Sequence, residues 1–390
     1  MTTIQRQGYR GVGAMTQGLI AFSGYNTRAV VAFCRHLHGS GLKAHLIARD
    51  PQDPIFLTRY AEWVATTRDS AALDLEAILA LVQPIRRRHG YDSVLIIPTT
   101  EFVNRQLIAH RETLNGHSVH FPLVPKPLYE TLSDKFAFRR RCEQYDISVP
   151  PELDQRTPSF PMVAKKRHYW AGSGSRAKPY LIFNETDYAA FLKAERPEDF
   201  YFERFVRGRS LYLLACVKRD GEMVAHWQEN LIQQADGKSI IAAKTCDPGL
   251  HDLEKKFQQV FGDIGFYGLV MVEVRQDGDI SYMIEANPRL WGPLQLVADH
   301  YPDILDAFLQ ICGVAPRAGL VSPKAEQGAD KLYFWYGGLA SDWAAGRQPV
   351  FHDRTIDITT GLPQLLNQDV FLRPDTFALF RAEVAGQTTT

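Results

Sequence analysis

One stretch constrains this chain more than any other: residues 265–293, GFYGLVMVEVRQDGDISYMIEANPRLWGP. Residues 269–274 are apolar and rich in β-branched side chains, residues 281–286 alternate, and the turn-forming Gln276-Asp277-Gly278-Asp279 lies between them. The two runs therefore read as adjacent strands of a hairpin. Glu273 and Glu285 are an even number of residues apart. A tip centred on Asp279 sets them directly opposite on one face, with Cβ atoms about 5 Å apart, where like charges destabilise the pair. A bound cation reverses that sign, and hard oxygen ligands suit Mg²⁺. A two-residue turn at Asp277-Gly278 would instead send the carboxylates to opposite faces. Asn287 and Arg289 continue the alternation from Glu285, so four polar groups share one side. The plain alternative is an exposed hairpin dotted with charges. Pro288, Trp291 and Pro293 argue against it, because they mark a constrained, partly buried segment.

The rest of the chain sets the context. A length of 390 residues predicts two to four domains. Lysine plus arginine equals aspartate plus glutamate at 44 each, so net charge points to no nucleic-acid or membrane partner. Five scattered cysteines without CxxC spacing favour a reducing compartment and disfavour structural zinc. The first residues are polar and no apolar run approaches membrane length, so a cytoplasmic protein is expected. Strands are expected over 19–22, 43–48, 62–65 and 93–97, and helices over 27–38, 73–89 and 102–114. That alternation predicts a parallel sheet covered by helices. Ser23, Gly24, Thr99, Thr100 and Glu101 fall beyond carboxyl ends of strands, where such sheets bind ligands; helix capping is the plainer use of these residues. No GxGxxG is present, which argues against a dinucleotide site.

The hairpin resembles the metal-binding end of the ATP-grasp superfamily. There two adjacent strands carry one glutamate each, and the second runs into a Glu-x-Asn-x-Arg segment, here Glu285-Ala286-Asn287-Pro288-Arg289. The resemblance implies that Glu273, Glu285 and Asn287 hold two Mg²⁺ ions on the phosphates of ATP, with Mn²⁺ an acceptable substitute. It also implies that Arg289 meets the transferred phosphoryl group.

Upstream segments extend the resemblance in the order that the superfamily requires. Residues 129–145 read as a helix with Lys135 near its start, similar to the segment whose lysine reaches the nucleotide phosphates. Residues 160–165 are an apolar strand ending in Lys165, which resembles the second phosphate lysine. Lys166 stands where a proline is frequent, and a strand turns one of the two lysines in and the other out. Gly172-Ser173-Gly174 follows, and its glycines leave backbone N–H groups free to point at phosphate oxygens. Residues 200–208, FYFERFVRG, resemble the hinge that receives adenine. Glu203 would accept from the amino group through side chain or backbone, with the backbones of Arg204 and Val206 supplying the other contacts. Ser210 stands where many relatives place an acidic ribose ligand. Gln228 and Lys244 are polar residues nearby whose plainer reading is structural.

The fold expected is α/β, with α+β character in the ATP-grasp lobes. An N-terminal Rossmann-like domain (1–125) precedes a small lobe with its linker helix (126–207), a large lobe with the metal site (208–315) and a C-terminal extension (316–390). The extension is left open between packing on the core, closing the substrate pocket and making a homodimer contact. Residues 287–302, NPRLWGPLQLVADHYP, most resemble a carboxylate–amine ligase branch of the superfamily, which implies ligation through an acyl phosphate, with Arg289 and Lys165 catalytic. Small-molecule carboxylate and amine substrates follow, amino acids foremost. Two alternatives stand beside it: a kinase or bicarbonate-using carboxylase of the same fold, and a catalytically silent nucleotide-binding scaffold.

Overall fold

The computed structural model describes residues 16–68, 73–154, 158–167, 179–237, 239–314, 331–353 and 358–386. The N-terminal region alternates strand and helix: β1 (Gln17–Phe22), α1 (Thr27–Gly39), β2 (His45–Ala48), β3 (Val64–Thr67), α2 (Leu75–His89), β4 (Ser93–Ile96), α3 (Glu101–Ala109), α4 (Arg111–Gly116) and β5 (Val119–His120). The five strands form one parallel sheet in the order β3-β2-β1-β4-β5. Buried runs such as Leu19 to Phe22 are what a sheet covered on both faces demands. The parallel sheet expected from the sequence is present. Several details differ, and β2 and α2 each begin two residues later than expected. The third strand begins two residues later than expected, because Thr58 caps a 3₁₀ turn over Arg59–Trp63. The helix expected over 102–114 is two helices, and the short β5 was missed.

Two helices, α5 (Lys126–Ser133) and α6 (Lys135–Glu143), lead into the small lobe. The single helix expected over 129–145 is broken at Asp134, whose extended backbone and side chain accepting from Ala137 N cap α6. The lobe continues with β6 (Glu152–Leu153), β7 (Met162–Lys166), β8 (Tyr180–Ile182), α7 (Glu185–Ala194) and β9 (Phe200–Arg204), an antiparallel sheet ordered β6-β9-β7-β8. Its core is small and aromatic: Phe191, Phe200 and Phe202 around Met162.

The large lobe comprises β10 (Arg209–Val217), β11 (Met223–Gln233), β12 (Ile240–Cys246), α8 (His251–Ile264), β13 (Gly268–Asp277), β14 (Ile280–Asn287), α9 (Leu294–His300) and α10 (Pro302–Ile311). The chain ends with β15 (Leu332–Phe334), α11 (Tyr336–Ala344), β16 (Val350–Phe351), α12 (Ile358–Leu366) and α13 (Phe377–Val384). These strands make one antiparallel sheet, β14-β13-β10-β11-β12-β15, with β16 paired to the end of β11. The C-terminal segment therefore adds strands to the large lobe. One sheet face packs Tyr212, Leu214 and Met271 toward α1, α9 and α10; the other packs Leu213, Val270 and Val272 on Phe257 and Phe261 of α8. Gly337-Gly338, a pair that favours turns, lies in the first turn of α11. A Cβ at Gly337 would meet the Glu383 carboxylate at 2.3 Å, and one at Gly338 would meet the Trp335 ring at 2.3 Å. Among the described residues, no helix is long and apolar enough to cross a membrane.

Candidate active site

The β13–β14 hairpin places Glu273 directly opposite Glu285. The route differs from the expected tip at Asp279. Asp277 pairs with Ile280, so the turn is the two-residue Gly278-Asp279, with Gly278 at φ 61°. That register alone would set Glu273 opposite Ile284. A β-bulge restores the pairing: Val274 faces Met283 and Glu273 faces Glu285, leaving Ile284 as the extra residue. The freed Ile284 carbonyl accepts from Lys165 Nζ at 3.4 Å, so the bulge also ties the small lobe to the large one.

From Glu285 a polar chain runs along the strand exit. Asn287 Nδ2 donates to Glu285 Oε1 at 2.8 Å, and Arg289 Nη2 donates to Asn287 Oδ1 at 2.8 Å. Lys135 forms an ion pair with Glu285. A lysine at the N-terminus of a helix opposes the helix dipole, so its position on α6 does nothing for the helix. Burial pushes the Glu285 carboxyl up. The charge and hydrogen bond of Lys135 outweigh that, with help from Asn287 and Lys165, and hold the carboxyl at about 2. Burial lowers Lys135, and the charges of Glu285, Glu273 and Glu203 more than offset it, so its pKa is raised.

Glu273 has its own cation. Arg275, two residues along and on the same face, pairs with it at 3.0 Å. Arg275 Nη1 also meets His352 Nδ1 at 3.2 Å, and His352 Nε2 meets Gln233 Oε1 at 3.0 Å. Nε2 therefore carries the imidazole proton and Nδ1 accepts. Burial, and then the charge of Arg275, push the His352 pKa down to about 3. His352 follows β16, so the C-terminal segment reaches the β13–β14 hairpin.

Lys165 is buried and Lys166 is turned toward Glu195. Lys165 pairs with Glu203 on the neighbouring β9, and Arg139 Nη1 approaches the same carboxylate at 3.3 Å. Five cations, Lys135, Lys165, Arg139, Arg275 and Arg289, thus surround three carboxylates, an excess of positive charge that suits a polyphosphate. Two carboxylates and an amide oxygen are hard donors that fit Mg²⁺. Among the described residues, no group of three His, Cys, Asp or Glu gathers to hold a metal. A site of this kind takes Mg²⁺ together with phosphate oxygens, the usual arrangement for that ion.

The N-terminal sheet abuts the same loop. Leu290 N donates to Pro98 O at 3.4 Å, Asn26 Nδ2 to Leu290 O at 3.3 Å and Asn104 Nδ2 to Pro288 O at 3.4 Å. Among the described residues, Thr99 Oγ1, Asn104 Oδ1, Arg289 Nε and Trp291 Nε1 are buried in this seam without a partner. Thr100 caps α3, Ser23 donates to Asp53 at 2.6 Å and Glu101 pairs with Arg105 at 2.8 Å, so these three serve structure.

Comparison with solved structures settles the architecture. The chain superposes on a Campylobacter jejuni biotin carboxylase in complex with β,γ-ATP, with TM-score 0.57, 15% identity, 81% of this chain and 75% of that one covered. It superposes on the biotin carboxylase domain dimer of Hydrogenobacter thermophilus 2-oxoglutarate carboxylase, in complex with MgADP, ADP and bicarbonate, with TM-score 0.56, 14% identity and coverages of 78% and 71%. For N5-carboxyaminoimidazole ribonucleotide synthetase from Thermus thermophilus the values are TM-score 0.54, 19% identity, and 77% and 81%.

This is an ATP-grasp fold.

No family model matches the chain, and no curated protein matches it by sequence. Within the ATP-grasp frame, two of the expected hinge contacts are already committed: the Glu203 carboxylate to Lys165 and Arg139, and Arg204 N–H to Pro151 O at 2.9 Å. Val206 is buried at the end of β9's exit. Ser210 is buried and accepts from Asn230 Nδ2 at 3.0 Å, in the row next to Glu273. Gln228 lies in the row of Glu273 and Tyr212, donates to Asn230 at 2.6 Å and, among the described residues, keeps Oε1 unpartnered. Lys244 is on the opposite face, 3.8 Å from Glu229. Gly172, Ser173 and Gly174 lie outside the described residues. The sequence reading missed Arg139, Arg275 and His352. Arg275 was findable as the next residue on the face of Glu273; His352 carries no local signal.

Proposed function

We propose that this chain is an ATP-dependent ligase that activates a carboxylate and joins it to an amine. The observation that carries the reading is the unbroken polar chain Lys135–Glu285–Asn287–Arg289 beside Glu273. In the proposed reaction, Glu273, Glu285 and Asn287 hold Mg²⁺ on the nucleotide. The metal supplies charge neutralisation between phosphate oxygens. Lys135 leaves Glu285 for phosphate oxygens, and Lys165 neutralises charge from the small lobe. Arg289 stabilises charge on the γ-phosphoryl group as a carboxylate oxygen attacks it and the bond to ADP breaks. The amine then attacks the acyl carbon, phosphate leaves, and the amine's proton passes to solvent. Glu203, Arg204, Val206 and Ser210 line the adenosine side. Amino acids are the proposed amine class, through the resemblance to carboxylate–amine ligases. Five free cysteines, four of them buried, support a cytoplasmic setting.

A second reading uses bicarbonate as the carboxylate, and the biotin carboxylases among the structural neighbours favour it. One screen separates the two. ADP release is measured with carboxylates, amino acids and bicarbonate, and products are trapped with hydroxylamine. A hydroxamate together with acceptor-dependent ADP supports the ligase. Fixation of labelled bicarbonate supports the second reading. Nucleotide binding without ADP release for any acceptor would leave only a scaffold.

A further inference from the structure

At the carboxyl ends of β1, β2 and β3 sits a guanidinium with an unused edge. Arg68 follows β3 directly and is 3% exposed. Its backbone N–H is fixed to Ala48 O at 2.9 Å. Nη1 donates to the Tyr25 hydroxyl at 3.0 Å, and the guanidinium carbon lies 4.8 Å from the centre of the Tyr25 ring. Nε and Nη2 are buried and, among the described residues, have no hydrogen-bond partner. These two nitrogens form the side-on fork of an arginine, whose parallel N–H bonds match two oxygens of one carboxylate or phosphoryl group.

The same chain shows what that fork does when it is used structurally. Arg35 places Nε and Nη2 on the two oxygens of Asp375, at 2.7 and 2.9 Å. Arg209 does the same with Glu229, at 2.8 and 2.9 Å. No described carboxylate accepts from Arg68. Asp50, which feels the charge of Arg68, is turned to Arg49 at 2.7 Å and to the N–H of Gln52 at 2.7 Å. A buried cation with two donors left without hydrogen bonds is costly in the free protein, a cost that a bound anion would relieve.

The surroundings say where that ligand comes from. Tyr25 is 40% exposed, stacks over Arg68 and packs against Phe102 at the start of α3, 5.7 Å between ring centres. Asn26, the next residue, reaches the Arg289–Leu290 loop. The fork thus lies at the mouth of the parallel sheet, where α/β sheets bind ligands, on the side that faces the catalytic loop.

We propose that Arg68 anchors a carboxylate or phosphoryl group of the small molecule on which the enzyme acts, with Tyr25 as the movable cover of the site. The assignment of that anion as substrate rests on the ligase reading; the anion site itself does not. Thermal unfolding of the full chain, without nucleotide and at constant ionic strength, tests it with acetate and with inorganic phosphate as probes. Wild type is expected to melt higher as one probe is raised, in proportion to the logarithm of its concentration. Arg68→Met is expected to lose that response while melting no lower than wild type when no anion is present. Arg68→Lys keeps the charge but not the fork, and its affinity falls about tenfold. Response to acetate alone identifies a carboxylate; response to phosphate alone identifies a phosphoryl group. Taking the difference between wild type and Arg68→Met removes anions bound elsewhere. An equal response in both proteins, no response of wild type to either probe, or an Arg68→Met protein that melts well below wild type without anion overturns the proposal. Because no nucleotide is present, the result is independent of whether phosphoryl transfer occurs.

Discussion

Lys165 pairs with Glu203 in the core of the small lobe and is proposed to neutralise phosphate charge, and removing it separates the two roles. The lysine is 4% exposed and Glu203 is 3% exposed, so Lys165→Met leaves a buried carboxylate with one cation fewer. Breaking a buried pair by deleting one partner costs about 3–5 kcal/mol. Glu203 keeps Arg139 at 3.3 Å, and Arg139 is itself held by Pro150 O at 2.7 Å, so the low end applies, about 3 kcal/mol. The pair joins β7 to β9 within the small lobe's sheet, so the loss is best read locally, as amide exchange in these two strands. About 3 kcal/mol corresponds to exchange faster by about a hundredfold in these strands. The companion Lys165→Met/Glu203→Gln removes the stranded charge, and exchange should recover most of the way, which is a coupling between the two sites. Unchanged exchange in Lys165→Met, or strict additivity in the double variant, would refute the reasoning. Lys165 would then be only a ligand and not part of the small lobe's core.

Two further predictions concern the hairpin. Arg289→Ala should fold normally and lose turnover by about a hundredfold or more, since a charged donor at the transferring group is worth about 3 kcal/mol; ADP release measures it. His352→Asn should flatten the acid limb of stability. Folded His352 titrates near 3, against 6.5 for the unfolded chain. Between those values the unfolded chain binds more protons, so stability is lost as pH falls through that window. The melting temperature of wild type should therefore fall more steeply from pH 6.5 toward 3.5 than that of the variant.

The central pairing was legible in the sequence, but by a different path. The apolar periodicity and the Gln276-Asp277-Gly278-Asp279 turn announce a hairpin, and parity alone allows Glu273 to face Glu285. The structure reaches that pairing through a two-residue tip plus a bulge at Ile284. Nothing local announces the bulge, whose extra carbonyl is taken by Lys165 from the other lobe. The break at Asp134 was within reach, because an aspartate before an apolar helical run is a cap signal. It matters because it sets Lys135 at the start of α6, across from Glu285. The His352–Arg275 contact joins residues 77 apart in sequence, and β16 delivers it only after the sheet is assembled. Helix and strand identities followed from periodicity. Boundaries moved where side-chain caps such as Thr58 and Asp134 overrode it.

The central claim is that Glu273 and Glu285 share a cation with the phosphates of a nucleotide. Isothermal titration of ATP into the free protein, with Mg²⁺ and with EDTA in its place, tests it directly. Wild type should bind far more tightly with Mg²⁺, and Glu273→Gln/Glu285→Gln should bind with the same affinity in both buffers, because amides do not replace carboxylates as partners for the ion. A double variant that keeps the full magnesium dependence of wild type would contradict the account.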